Sequence, residues 1–234
     1  DSGIRMVSST AMRMGNVSLR EITGRMYSPH LSLSQKVWRS EKYPNAQFLE
    51  HVQIKGRITI PLTDDAEVSF IPMEDVNQDY GTYQGDKTNK VVNSKGYMTF
   101  KEGDLLWARI SPCMQNGKSM IAKGLLNGYG YGSTEFLVLE SDEYIRTGYL
   151  LAYMRLKAVR NIATLYFSGA AGQQRVESSF FKHITIPLMP LDKQDAIVAK
   201  VQRKLRQSKV ERAKAGAIMN SFLESTLTAL YIEN

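Results

Sequence analysis

The chain has 234 residues, with 30 Lys+Arg against 23 Asp+Glu, a formal net charge of +7 and 43% hydrophobic residues. This is the balance of a soluble globular chain, one domain with an appendage or two small ones, and no apolar run approaches the ~20 residues of a membrane span. The single cysteine, Cys113, excludes an internal disulfide and a cysteine-based zinc cluster and points to a reducing cytosol, so a cytoplasmic location is expected.

The chain opens on Asp1-Ser-Gly-Ile-Arg-Met6, without the basic-then-apolar pattern of a signal peptide, which reads as a trimmed or processed end. From Val17 to Tyr43, helical spacing is interrupted at Ser28-Pro29 and Tyr43-Pro44, so residues 1–46 read as an irregular lead-in. Val52-Gln-Ile-Lys-Gly-Arg-Ile-Thr-Ile-Pro61 alternates as a strand, Thr63-Asp-Asp65 turns, and Val68 to Met73 resumes a strand. The polar, Gly- and Asn-bearing stretch from Asn77 to Lys90 suits an exposed loop.

Leu105 to Ile110, Lys118 to Ala122 and Thr134 to Glu140 are three further short β patterns between glycine-bearing turns. Gly128-Tyr-Gly-Tyr-Gly132 lacks the spacing of a nucleotide-binding loop and is expected to be a turn. Tyr144 to Leu165 reads as one helix, on Leu150, Leu151, Met154, Ala158 and Ile162. After the loop Ser168 to Gln174, a β-like run from Ile184 to Leu191 is halted by prolines. Nothing but Gly216 then interrupts a helix from Asp192 to about Tyr231.

Such a helix reaches roughly 60 Å at 1.5 Å per residue. Val198, Val201, Leu205, Ser208, Arg212, Ala215, Met219, Phe222, Thr226 and Ala229 form an imperfect heptad seam, apolar at both ends, and its length favours projection from the body toward a partner helix. Packing back on its own domain is the other reading.

Several chemistries have no residues to carry them. The chain contains no Pro-Pro step, hence no Asn/Asp-Pro-Pro-aromatic motif of the kind that holds an extruded adenine for methylation. No acidic residue begins an acidic-x-Lys triplet of the nuclease type, and His30, His51 and His183 are scattered. No catalytic site, metal or cofactor is expected.

Five segments recur in a recognisable order: Val68 to Asp75, Gly103 to Lys118, Gly130 to Leu139, Phe167 to Val176 and Ile186 to Gln194. In this order they resemble the DNA specificity subunit of type I restriction-modification systems, from about Leu49 to the end. The resemblance implies an α+β fold: a mixed, antiparallel, β-rich target-recognition domain over 47–190, with flanking helices, and one long coiled-coil-type spacer helix over 191–234. It implies a non-catalytic protein that binds double-stranded DNA and directs a DNA adenine methyltransferase subunit, with a restriction subunit, to its target.

Specificity subunits usually carry two recognition domains and two spacer helices, and this chain has one of each. Two arrangements follow: a half-subunit that forms a homodimer through the C-terminal helix, or the recognition end of a longer fused enzyme. Arg25-Met-Tyr-Ser-Pro-His30 resembles the linker of such fusions.

Reading bases requires side-chain donors and acceptors at the major-groove edge, with cations on phosphates fixing register. Three groups offer them: Arg109, Ser111, Gln115, Asn116 and Lys118; Tyr83, Lys87 and Lys90 with their loop neighbours; and Gln173 and Arg175 beside small residues. Each group has a scaffold alternative, with Arg109 in a salt bridge and Asn116-Gly117 as a plain turn. In the last helix, the run Lys200, Arg203, Lys204, Arg206, Lys209, Arg212 and Lys214 could track phosphates, pack on an acidic methyltransferase surface, or be a solvated face.

Overall fold

A computed structural model describes residues 40 and 42–232, apart from 86 and 171. The helical pieces expected before Tyr43, His30 and the linker-like Arg25 to His30 lie outside the described residues.

Two four-stranded sheets and a layer of helices stack on one another. The first sheet joins β2 (Val52–Lys55), β11 (Phe136–Ser141), β8 (Leu105–Ala108) and β9 (Ser119–Ile121) in that order, all antiparallel. The second runs β6 (Thr88–Lys90), β3 (Glu67–Ile71), β10 (Tyr129–Gly132), β7 (Met98–Lys101), with β3 and β10 parallel.

All four residues of β8 are buried, which explains why Leu-Leu-Trp-Ala does not alternate. Successive side chains of a strand point to opposite faces. Leu105 and Trp107 enter one core with Phe48 of α1 (Phe48–His51), Leu150, Met154 and the Phe180-Phe181 pair of α4 (Ser179–His183), while Leu106 enters another with Ile71, Phe100 and Phe136. The first core lies between the first sheet and the helices, the second between the two sheets. Trp107 stacks on Phe180 at 6.1 Å and meets Phe181 edge-on at 5.7 Å. Truncating an aromatic so buried costs about 3–5 kcal/mol. A third cluster, Ile60, Val68, Val91 and Tyr131, covers the outer face of the second sheet.

Of Gly128-Tyr-Gly-Tyr-Gly132, expected as a turn, only Gly128 closes one; Tyr129–Gly132 is instead β10, the central link between β3 and β7. A Cβ on Gly132 would lie 2.0 Å from the Ile71 carbonyl oxygen, and one on Gly130 would lie 2.7 Å from the Phe100 ring. The glycines mark close backbone approach inside a strand, and the tyrosines do the packing.

Tyr144 to Leu165 is two helices, α2 (Thr147–Met154) and α3 (Lys157–Thr164). The break needs no proline: Leu156 takes extended backbone, φ −57° and ψ 127°, just after Arg155 turns inward. Burial pushes the Tyr149 phenol up to about 12. Tyr149 and Tyr153 donate to the carbonyls of Pro187 (3.0 Å) and Thr185 (2.6 Å), tying α2 to β14 (Thr185–Pro187). β1 (Asn45–Gln47) pairs antiparallel with β14, Ala46 opposite Ile186, so the body is closed by the segments at which the chain enters and leaves it.

The last helix, α5, spans Leu191–Ile232, 42 residues. Its start is pinned by buried Gln194, whose side chain accepts from the Arg146 backbone N–H (2.8 Å) and donates to the Tyr144 and Met189 carbonyls. Val198 seats on Gly148 of α2, where a Cβ would meet it at 3.0 Å. Arg212 pairs with Asp79 and lies over the Tyr80 ring at 5.8 Å. The expected projection therefore begins only beyond that point. The first half of α5 stays against the body because Gly148 and the turn at Asp79 both meet it. Between α5, α2 and the strand ends near Tyr83 and Ile121 lies a largely apolar groove of 930 Å³, lined on α5 by Ile197, Val198, Val201 and Leu205.

Candidate nucleic-acid interface

Chain segments from four places converge at one end of the body. β8 runs into the loop 109–118 through a cis Ser111-Pro112 bond, and that loop is laced to the segment that follows β12 (Phe167–Ser168). The Ser111 N–H donates to the Gln174 carbonyl (2.8 Å), and the Val176 N–H donates to the Arg109 carbonyl (2.9 Å). Glu135, between β10 and β11, joins both: Arg175 chelates its carboxylate at 2.7–3.0 Å and Arg109 reaches it at 3.3 Å. Burial alone would raise Glu135, but the hydrogen bonds and charge of Arg175, and then Arg109, hold its carboxyl below the ordinary range.

The group of Tyr83, Lys87 and Lys90 comes in through its neighbours. β4 (Val76–Asn77) pairs with β5 (Thr82–Tyr83), and the preceding turn, Met73–Asp75, serves as an acceptor for two cations. Lys118 Nζ donates to the Met73 carbonyl (2.7 Å), and Lys87 Nζ pairs with Asp75 at 2.9 Å. Lys90 sits in β6 opposite Glu67 and pairs with Asp65 at 2.9 Å, farther along the second sheet. Tyr83 packs against the core between the sheets. Within 77–90 the described residues are mostly turn and irregular chain, tied down by the short strands β5 and β6.

The cations of the three groups are engaged within the protein, and the amides are presented. Gln115, Asn116 and Gln173 are exposed; Gln115 accepts from Ser111 Oγ at 2.8 Å, while the Asn116 and Gln173 side chains have no partner among the described residues. An amide facing solvent can offer donor and acceptor together to an adenine edge.

Two residues that sequence reasoning passed over hold this end together. Arg155, at the α2 C-cap, donates from Nη1 to the carbonyls of Gly117 (2.9 Å) and Ser119 (3.4 Å) and from Nη2 to those of Gln78 and Asp79 (2.8 Å each). Arg160 of α3 donates to the Gln115 and Arg155 carbonyls. Burial, and for Arg155 also the charge of Arg160, lowers both guanidiniums from their ordinary value. Helical spacing does not distinguish such arginines from surface ones.

Among the described residues no group of three or more His, Cys, Asp or Glu could hold a metal ion, and no helix is long and apolar enough to cross a membrane. His51 pairs with Asp142 at 2.7 Å and His183 stacks on Tyr166.

The β body thus gathers polar turns at one end and hands the chain to one long helix. Residues 42–218 match the family model of the type I restriction modification DNA specificity domain, and the chain belongs to that family. It is 35% identical over 137 residues to the specificity subunit of the type I restriction enzyme EcoAI, and 34% over 142 residues to that of EcoEI, both from Escherichia coli. Those matches cover 58% and 59% of this chain but only 23% and 24% of the relatives, so the aligned part spans about a quarter of their length. The fold is similar to the HsdS subunit of Thermoanaerobacter tengcongensis (TM-score 0.61, 19% identity, 79% of this chain and 47% of that one). It is also similar to a chain from a structural study of the assembly and conformational transition of a type I restriction-modification system (TM-score 0.53, 16% identity, covering 80% and 46%).

Proposed function

We propose that residues 47–190 read a short DNA sequence and that the helix over 191–234 sets the distance and carries the contacts to partner subunits, a methyltransferase and a restriction subunit, which supply the chemistry. The observation that carries this reading is the convergence of the 109–118 and 173–175 segments on one end of a rigid body, with exposed amides at the tips. Gln115, Asn116 and Gln173 are the base readers. Arg109, Lys118 and Arg175 brace the turns, and Lys87, on the Asp75 carboxylate, steadies the turn that receives Lys118, while Tyr83 and Lys90 serve the sheets. Competition binding at physiological salt tests it: one sequence should be preferred by a factor on the order of 10³ or more over unrelated duplexes. Equal affinity for all sequences would defeat it.

The spacer pairs antiparallel with the α5 of a second copy. The seam supports this: Val198 falls opposite Ala229, Val201 opposite Thr226, Leu205 opposite Phe222, Ser208 opposite Met219, and Arg212 opposite Ala215. This register sets the basic run from Lys200 to Lys214 against positions 213–227, whose only charged residues are Lys214 and Glu224, with Arg203 facing Glu224. A parallel, in-register pair would set the basic run against itself. Two bodies spaced by such a pair would read two half-sites around a fixed gap.

A further inference from the structure

Arg155 stands behind the proposed reading face and not on it. Its four carbonyl acceptors come from two different segments: Gln78 and Asp79 from the turn between β4 and β5, Gly117 and Ser119 from the end of the 109–118 loop and the first residue of β9. Arg160 extends the brace to Gln115, one residue before Asn116, and to the Arg155 carbonyl itself.

The opposing backbone is shaped to receive these guanidiniums. Gly81, at φ +66°, is buried, and a Cβ there would lie 3.0 Å from Arg155 Nη1. Gly117, at φ +82°, is also buried, and a Cβ there would lie 3.2 Å from Arg160 Nη1. Each arginine thus fits beneath a glycine in the left-handed region, where any other residue would be strained and would crowd the planar group.

We propose that Arg155, seconded by Arg160, is a positioning residue for base discrimination: it fixes the 115–119 turn against the 77–81 turn so that the amides at Gln115 and Asn116 meet the base edge in one register. This rests on the DNA-reading function proposed above. The planar fork serves four acceptors in fixed directions, whereas the ammonium of a lysine carries three donors at a single point. Arg155→Lys therefore keeps the charge and loses the bridge. Loosening by about 1 Å suffices to spoil a preorganised polar contact, while phosphate attraction tolerates it.

The test uses the full chain and a pool of duplexes with a randomised central segment, sequenced after selection, followed by affinities for the selected duplex and its single-base variants. For Arg155→Lys, discrimination between the selected duplex and its variants should fall tenfold or more. Affinity for unselected DNA should stay within about threefold, and the thermal midpoint within a few degrees. Arg160→Lys should shift discrimination the same way by less, and is read by the same criteria should Arg155→Lys not fold. A folded variant that discriminates as the wild type does, or that loses affinity equally on every duplex, would overturn the inference alone. A wild-type chain that enriches no sequence would overturn the reading beneath it.

Discussion

Glu135 shows how one carboxylate decides what its neighbours are for. With its side chain 16% exposed and two guanidiniums on it, it fastens the end of β8 to β13 (Arg175–Val176) and leaves Arg109 and Arg175 little freedom to reach a guanine. Its carboxyl is held below the ordinary range, so its stabilisation is present above the unfolded value and is lost as pH falls through the folded one. Glu135→Gln should cost on the order of 1–2 kcal/mol at pH 7, discounted because both arginines are over a third exposed. In urea titrations the gap to wild type should close below about pH 4. A gap independent of pH would show that the charge is not what matters. The amides behave differently: Asn116→Ala and Gln173→Ala should leave the unfolding midpoint within about 0.5 kcal/mol, the usual range for surface changes. Each should erase discrimination at one base pair, worth about 1–3 kcal/mol in competition binding. Sequence reasoning selected Arg109, Arg175, Asn116 and Gln173, since residue type carries that much, but not Glu135. It left open whether Arg109 and Arg175 face DNA or a carboxylate, because Glu135 lies 26 and 40 positions away in the chain.

Among the elements, what could be read locally was read well. β8, β9, β11, β14 and the long helix arise where apolar runs and proline stops place them. What depends on a distant neighbour was not legible. Gly128 to Gly132 carries every local mark of a turn, yet Tyr129 to Gly132 forms a central strand because Phe100 and Ile71 press against it. Tyr144 to Leu165 has unbroken helical spacing, yet divides where Arg155 is drawn to carbonyls up to 77 positions away. Gly132→Ala should be among the most damaging single-methyl additions, since backbone carbonyl cannot yield by rotamer change. A loss of 3 kcal/mol or more, or no soluble protein, is expected, whereas Gly96→Ala, with open space around its Cβ, should pay only for its left-handed backbone. Comparable thermal midpoints for the two would contradict the close approach.

On the scale of the whole molecule, the long helix is anchored before it is free. Gln194 and Gly148 hold its start, and the Asp79-Tyr80 turn meets Arg212. The apolar groove beside Val201 and Leu205 is the natural seat for the end of an antiparallel partner. Val201→Glu with Leu205→Glu should turn a dimer into a monomer by light scattering, weaken binding to a two-part site and spare binding to one half-site. A wild-type chain that is monomeric at high concentration would defeat the pairing. The helix itself was legible from the absence of breakers, but its attachment at Asp79 was not, since that contact spans 133 positions.

The pairing of β1 with β14 has a further consequence. Because Asn45 stands opposite Pro187, the two junctions of the body lie one strand spacing apart, about 5 Å. Neither four-stranded sheet has to be cut to remove everything between them, and what crosses the seam is the seating of α5 on Gly148 and Asp79. The body is in that sense a cassette: exchanged through two adjacent seams, it would leave whatever lies on either side in place. Recombination at those seams could then alter what is read without redesigning the machinery that acts on it.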